Sequence, residues 1–396
     1  KKMKSKKRDV FDDNSIKVPF VVPNITKSDK TLIQKALNSG LLTDGPFLKK
    51  FESSFAKFTG AKYAIGISNA TSALHLSLKA IGIKKGDEVI VPDITFVATA
   101  NAVLFTGATP ILADINFEDL NISVESLKKN MSSKTKAIIP VHFAGKSCNM
   151  KEISKIAKKY HVKIIEDCAH AVGTKFGNMH VGNFGETGCF SFYPTKNLTT
   201  IEGGMVITNS FKTAQYVMKS RNHGISRTLK ERFSGGFPWD YEIFEMGYNF
   251  RLDEIRSCLG VNQLKRIKKM NKLRRIAAEY YTTNLRSVKG IITPKLNEKS
   301  HSWHLYIIKI HKEFDISRDE LFKKLLSNGV RTSVHYKPLH KFSLYKKMCK
   351  KYGKLTNSCN AYKEIISLPL YPGITKKEQD YVIQQIIKWL GLLLKL

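Results

Sequence analysis

"CFSFYPTKNLTTIEGGMV", residues 189–206, reads as an apolar strand that breaks at Pro194. A single lysine, Lys196, follows, then threonines, an acid and the Gly203-Gly204 pair. A charged amine is costly to bury, and lysine ordinarily ends in solvent. One set directly after an apolar strand, against a glycine turn, has two readings. It is a solvated loop charge, or an amine kept partly dry to react with a carbonyl carbon. The glycines likewise read either as a plain hairpin turn or as a place where backbone passes close to a site.

Working outward, the preceding apolar segment "VKIIEDC" (162–168) carries Asp167 at its end, 29 residues before Lys196. This carboxylate either caps the next turn or points into a crevice. Upstream, short apolar runs alternate with amphipathic stretches. Strands are expected at 63–68, 88–92, 109–115, 136–143 and 162–168. Helices are expected at 28–39, 47–60, 69–82, 95–107, 123–131 and 150–161. Continuously apolar strands between amphipathic helices predict an α/β fold with a mostly parallel central sheet covered on both faces. Ligands of such sheets bind beyond the carboxyl ends of the strands. A long basic helical stretch, 251–285, then leads into a smaller α+β unit with strands at 303–310 and 330–336 and helices at 317–329 and 375–390. The expected organisation is a basic disordered tail (1–15), a large domain (16–265) and a small C-terminal domain (266–396).

Composition narrows the partners. The chain has 396 residues, is 42% hydrophobic and carries a net charge of +33. Its lysines are scattered along the chain, which suits a solvated surface or capture of an anionic ligand. A nucleic-acid stripe would concentrate them and interleave aromatics. No apolar run approaches the ~20 residues that span a bilayer. The six cysteines form no CxxC pair and no zinc-like spacing with histidine. Reduced thiols, a cytoplasmic location and no bound metal are expected. Cys168 and Cys189 read as small core residues.

An Asp at one strand end and a Lys after a later strand suit pyridoxal 5'-phosphate: the lysine holds the aldehyde carbon and the acid keeps the pyridine nitrogen protonated. The phosphate needs an anion site. "SNATSALHL" places Ser68, Asn69, Ala70, Thr71 and Ser72 at a strand-to-helix junction, where backbone N–H groups and the helix dipole bind anions. Ordinary N-capping accounts for the same residues. Ser191 could add a hydroxyl.

Taken together, "SGLLTDGP", "SNATSALHLSLKAIGI", "GDEVIVPDITFVATANAVLFTGATPILADI", "IIPVHFAG", "IIEDCAHAVG", "GCFSFYPTKNLTTIEGGMV", "GYNFRLDEIRSCLGVNQL", "WHLY", "TSVHYKPLH" and "LPLYPG" stand in order along the chain. In this the chain resembles the sugar aminotransferases of the DegT/DnrJ/EryC1/StrS family, across nearly its whole length. The resemblance implies a fold type I pyridoxal-phosphate-dependent transferase. It implies that Lys196 binds the cofactor and shuttles the proton, and that Asp167 faces the pyridine nitrogen. His170 would reach the ring hydroxyl, Thr71, Ser72 and Ser191 the phosphate, and Phe96 would stack on the ring. Asn249 would cross from a neighbouring subunit to the phosphate, implying a homodimer with shared sites. Thr43, Gly45, Arg251, His335 and Tyr336 match positions near the substrate. "NATSA" stands where the family commonly has "NGTAA", and Cys168 where alanine is usual. A dehydratase within the group carries His at the catalytic lysine, so Lys196 points to transamination.

The implied reaction moves an amino group from L-glutamate, by way of pyridoxamine 5'-phosphate, to a nucleotide-diphosphate-linked keto sugar. The leaning is to C4 of a 4-keto-6-deoxyhexose on UDP, feeding surface polysaccharide or other amino sugar synthesis. Amination at C3 is the alternative within the family. Outside it stand a basic nucleic-acid-binding protein and a cofactor-binding regulator without turnover.

Overall fold

The computed structural model describes residues 15–226, 237–243, 245–296 and 300–389. The expected disordered tail lies outside them except for Ser15, as does most of the loop 224–240.

Helices α1 (Lys27–Asn38) and α2 (Pro46–Thr59) open the described fold. Thr26 and Asp29 form a reciprocal capping box on α1, while Pro46 starts α2 and left-handed Gly60 ends it. There follow β1 (Tyr63–Ile67), α3 (Ala70–Ala80), β2 (Glu88–Pro92), α4 (Ala98–Leu104), β3 (Thr109–Ala113), α5 (Val124–Lys129), β4 (Thr135–Ile138), α6 (Met150–Tyr160) and β5 (Lys163–Asp167). A two-strand ribbon, β6 (Lys175–Phe176) and β7 (Met179–His180), precedes β8 (Thr187–Ser191), β9 (Gly204–Thr208) and α7 (Phe211–Ser220).

Seven of these strands form the central sheet, in the order β1-β9-β8-β5-β4-β2-β3. The pairings from β8 through β5, β4 and β2 to β3 are parallel; β9 runs antiparallel to both β1 and β8. Successive side chains of β8 point to opposite faces. Cys189 joins the apolar layer under α3 and α7, with Leu74, Leu78, Ala214 and Val217. Phe190 joins the layer under α2, with Leu48, Phe51 and Phe55. The sheet is therefore mixed and helix-covered on both faces, with Cys168 and Cys189 inside the core.

The 32-residue helix α8 (Glu254–Leu285) serves two cores. Its first half, through Val261, Leu264 and Ile267, packs with α2. Its second half, through Ala277, Tyr281 and Leu285, packs on a three-stranded antiparallel sheet of β10 (Ile291–Ile292), β11 (Tyr306–Ile310) and β12 (Ile365–Leu368). Around it stand α9 (Arg318–Ser327), α10 (Ser343–Met348), α11 (Thr356–Glu364) and α12 (Lys376–Ile387). Val18 packs in this C-terminal core, because Lys17 and Val18 both donate to Gly329 O.

Two local expectations need correction, and one open reading is decided. The helix expected over 95–107 begins at Ala98, because Thr95 and Phe96 are taken up in a cavity wall. The strand expected over 330–336 is reduced to isolated bridges at Val330 and Ser333, since the chain turns inward at His335 and Tyr336. Of the two readings of Gly203-Gly204, close backbone approach holds: Gly204 opens β9, and a Cβ there would stand 2.6 Å from the Asn69 carbonyl carbon. Glycine lets β9 pass against the N-terminus of α3.

The large helices are docked by one buried carboxylate. Glu254 is 1% exposed and accepts from the N–H groups of Gly45 (3.1 Å), Phe47 (2.8 Å) and Leu48 (2.8 Å). It thus caps α2 from a residue more than 200 positions away. Glu254→Ala leaves three helix-terminal donors without an acceptor, and a loss of about 2–4 kcal/mol in urea unfolding is expected. A loss under about 0.5 kcal/mol would show that water replaces the carboxylate there.

Candidate active site

A cavity of about 770 Å³ opens at the carboxyl ends of β5 and β8. Its wall combines Asp167 from β5, Ser191 from β8, Lys196 from the following loop, Asn69 to Ser72 from the start of α3, and Phe96, His170, His335 and Tyr336. Parallel pairing of β5 with β8 sets Asp167 opposite Cys189, so the two strands end at the same edge.

Lys196 sits in a tight turn, its N–H donating to Tyr193 O at 2.9 Å. Burial of its amine pushes its pKa down to about 8, against the opposing pull of the Asp167 charge. The position is neither ordinary solvent nor dry core, which favours the reactive reading of this lysine over the solvated one.

Asp167 is 4% exposed. Burial raises its pKa, and hydrogen bonds oppose that rise. Its Oδ1 accepts from Ala169 N–H (3.1 Å) and its Oδ2 from Thr99 Oγ1 (2.9 Å). Thr99 Oγ1 also lies 2.8 Å from Thr95 Oγ1. Because Thr99 spends its one proton on Asp167, Thr95 donates to Thr99, and a directional chain ends on the carboxylate.

His170 lies 3.1 Å by Nε2 from Tyr336 Oη, and its Nδ1 is buried without a partner. Its ring packs 4.4 Å from that of His304. His304 in turn meets Asn197 Oδ1 at 3.1 Å, and His335 Nδ1 meets Ser367 Oγ at 2.8 Å. Burial depresses all three imidazoles, His170 and His304 well below the usual range and His335 to about 3, with Lys196 adding to each. They face the cavity region as neutral rings.

At the start of α3, Asn69 Oδ1 takes the Ser72 N–H at 2.9 Å, so capping is real. The first-turn N–H groups have no acceptors within the helix, and Ala70 and Thr71 line the cavity. Capping and anion binding therefore coexist here. Phe96 is 55% exposed and packs against Tyr336 at 5.9 Å between ring centres.

Four expected residues do not line this cavity within the single chain. Gly45 is held against Glu254, and Thr43 is exposed nearby. Arg251 bonds to Asn222 Oδ1 at 3.0 Å, while Asn249 is exposed and bridges to Asn222. Sequence reasoning passed over Thr99, Thr95, Asn197 and His304. The i, i+4 spacing of Thr95 and Thr99 was the available signal for the first pair. His142, Glu166 and Cys168 stand close enough to hold an ion. Two of the three are engaged elsewhere, however. His142 Nδ1 accepts from Cys148 N–H, so Nε2 donates to Glu166 at 2.9 Å, and Glu166 also takes the N–H groups of Gly182, Phe184 and Gly185.

A lysine of lowered basicity, a buried carboxylate, a helix N-terminus flanked by hydroxyls and an unpartnered imidazole nitrogen fit a flat, phosphorylated aldehyde. The cavity volume lies in the range of small-molecule sites.

Residues 23–387 match the model of the DegT/DnrJ/EryC1/StrS aminotransferase family. The chain is 39% identical over 373 residues to the spore coat polysaccharide biosynthesis protein SpsC of Bacillus subtilis, covering 93% of this chain and 96% of SpsC. Among solved structures, Helicobacter pylori PseC, an aminotransferase involved in the biosynthesis of pseudoaminic acid, superposes with a TM-score of 0.87 at 32% identity. It covers 94% of this chain and 98% of PseC. Spr1654 of Streptococcus pneumoniae, solved in its PMP form, superposes with a TM-score of 0.87 at 26% identity, covering 93% and 98% of the two chains.

The depressed lysine gives a direct test. In the cofactor-free protein, the acylation rate of Lys196, mapped by mass spectrometry, is expected to rise with pH and reach half its plateau near pH 8. The Asp167 charge stabilises the ammonium, so Asp167→Asn moves that midpoint to lower pH. A midpoint near the ordinary lysine value of about 10.4 would contradict the buried-amine geometry.

Proposed function

We infer the reaction from one premise: the chain belongs to the DegT/DnrJ/EryC1/StrS aminotransferase family, and it is a pyridoxal-phosphate-dependent sugar aminotransferase. From there we propose that it transfers an amino group from L-glutamate to C4 of a nucleotide-diphosphate-linked 4-keto-6-deoxyhexose, with UDP the favoured nucleotide. The observation that carries the reading is the union of Lys196 and Asp167 in one cavity over the start of α3.

When bound, pyridoxal phosphate supplies a carbonyl carbon that exchanges amines and a ring that accepts electron density. The residues take these roles. Lys196 would hold the cofactor carbon and would carry a proton at the reacting carbon, which its lowered basicity suits near pH 8. Asp167, fixed by Thr99 and Ala169, holds a negative charge against the ring nitrogen. His170 meets the ring hydroxyl, and Tyr336 orients His170. Thr71, Ser72 and Ser191 would hold the phosphate at the start of α3, and Phe96 would lie against the ring. His335 and Tyr336 border the sugar.

Asn249 lies outside this chain's own cavity and follows a stretch in which Phe237, Trp239, Ile243 and Met246 are 56–76% exposed. Such an apolar patch suits burial against a second copy. We assign the enzyme as a homodimer in which Asn249, Arg251, Thr43 and Gly45 serve the neighbouring site. The two cores joined by α8 correspond to a large and a small domain. Six free cysteines support a cytoplasmic assignment. SpsC and PseC point to a polysaccharide or glycan pathway as the destination of the amino sugar.

The first measurement is the visible spectrum of the purified protein with pyridoxal phosphate. A visible band that L-glutamate bleaches is expected, with 2-oxoglutarate released in equal amount, and both are absent in Lys196→Ala. UDP-4-keto-6-deoxyhexose is expected to restore the band. No band with added cofactor would sink the aminotransferase reading. A band restored only by 3-keto sugars would move the reaction to C3.

A further inference from the structure

Five of the six cysteines are chemically quiet. Cys148, Cys168, Cys189 and Cys258 are buried, and burial, with Asp93 nearby, pushes the half-buried Cys349 up to about 12. Cys359, on α11, differs. It is only partly buried, and its Sγ lies 3.5 Å from Nε2 of His340. On the far side of that ring, Nδ1 lies 2.6 Å from Oδ2 of Asp93, which is fully buried. Asp93 Oδ1 takes the N–H of His340 itself at 3.0 Å. A carboxylate only accepts hydrogen bonds, so Nδ1 carries the ring proton and Nε2 is left to accept the thiol proton. A thiol, a base facing it and a carboxylate orienting the base form the arrangement that activates a sulfur nucleophile. None of the three lines the cavity beside Lys196. A cation borders the group: Lys341 Nζ stands 5.1 Å over the ring of Tyr362, three residues beyond Cys359.

We propose that Cys359 is a thiol-exchange site for small anionic disulfides of the glutathione class, and that its modification restrains the neighbouring active site. His340 takes the Cys359 proton, and the thiolate attacks one sulfur of the disulfide. A new S–S bond forms at Cys359 as the old one breaks, and the departing thiolate receives the proton from His340. Cys359 is oxidised and the small disulfide reduced, with no other reactant.

The same contacts connect the thiol to the cavity. Leu339 N–H donates to Asp93 O at 2.8 Å, so residues 339 and 340 are pinned to the segment just beyond β2. Thr95 and Phe96 lie two and three residues after Asp93, and His335 and Tyr336 precede His340 by a few residues; all four line the cavity. A bulky group on Cys359 presses on the His340 ring and removes its thiol donor, loosening both walls at once.

The test uses the full-length chain and oxidised glutathione, with adducts quantified by peptide mass spectrometry. Cys359 is expected to react at least ten times faster than Cys349, and at least ten times faster than Cys359 in the urea-unfolded chain. His340→Gln is expected to slow it about tenfold. Reaction no faster than in the unfolded chain, or undiminished in a natively folded His340→Gln, would overturn the site. The comparison with the unfolded chain needs no variant, so a misfolded His340→Gln does not spoil it. The consequence for activity rests on the aminotransferase reading, whereas the labelling rates do not. Cys359→Ser is expected to keep full activity and to resist glutathione disulfide. The unmodified chain is expected to lose most activity and recover it with dithiothreitol. Full modification with unchanged turnover would overturn the coupling to the active site.

Discussion

Parallel pairing of β5 with β8 is the constraint on which the site depends. Because the two strands run the same way, Asp167 and the loop carrying Lys196 leave the sheet at one edge. An antiparallel β8 would deliver the lysine to the opposite edge, about 16 Å away over five residues. Parallel neighbours need long connections, and here the link holds the β6–β7 ribbon. The loop after the ribbon donates three N–H groups to Glu166, one residue before Asp167. The crossover that permits the parallel pairing thus also fixes the strand end that carries the acid.

Around that edge the electrostatics are simple for so basic a chain. Desolvation holds His170, His304 and His335 neutral, so the cavity's positive character comes from Lys196 and the start of α3. Negative charge comes from Asp167, whose two oxygens are held by Thr99 and Ala169, and from Glu202 in the cavity wall. A neutral surround of imidazoles lets a lysine of lowered basicity and a buried acid share one cavity without a crowd of competing charges. The net charge of +33 belongs largely to the outer surface and has little part in this arrangement.

Much of the fold was legible because its signals are local. Apolar runs marked β1, β2, β3 and β5, and amphipathic stretches marked α1, α2 and α6. Misjudged boundaries occurred where a tertiary demand overrode the local pattern. Thr95 and Phe96 have helix-compatible neighbours but are drawn into the cavity wall. The 330–336 stretch alternates like a strand, yet its end turns inward to deliver His335 and Tyr336. At Gly203 and Gly204 the local pattern left a hairpin turn and a close backbone approach both open, and the packing of β9 on Asn69 decides for the approach.

The sequence by itself determined the alternating α/β architecture and the pair Asp167 and Lys196, because periodicity, strand-end position and motif order are written within short windows. Tertiary structure alone decided which distant groups meet. Glu254 caps α2 from over 200 residues away, Thr99 reaches Asp167, Tyr336 reaches His170, and Asp93, His340 and Cys359 assemble from three separate segments. A hydrogen bond between residues so far apart leaves no period or spacing in the chain. Its partners are set only when the sheet order and the docking of α8 fix where each strand end and loop comes to rest.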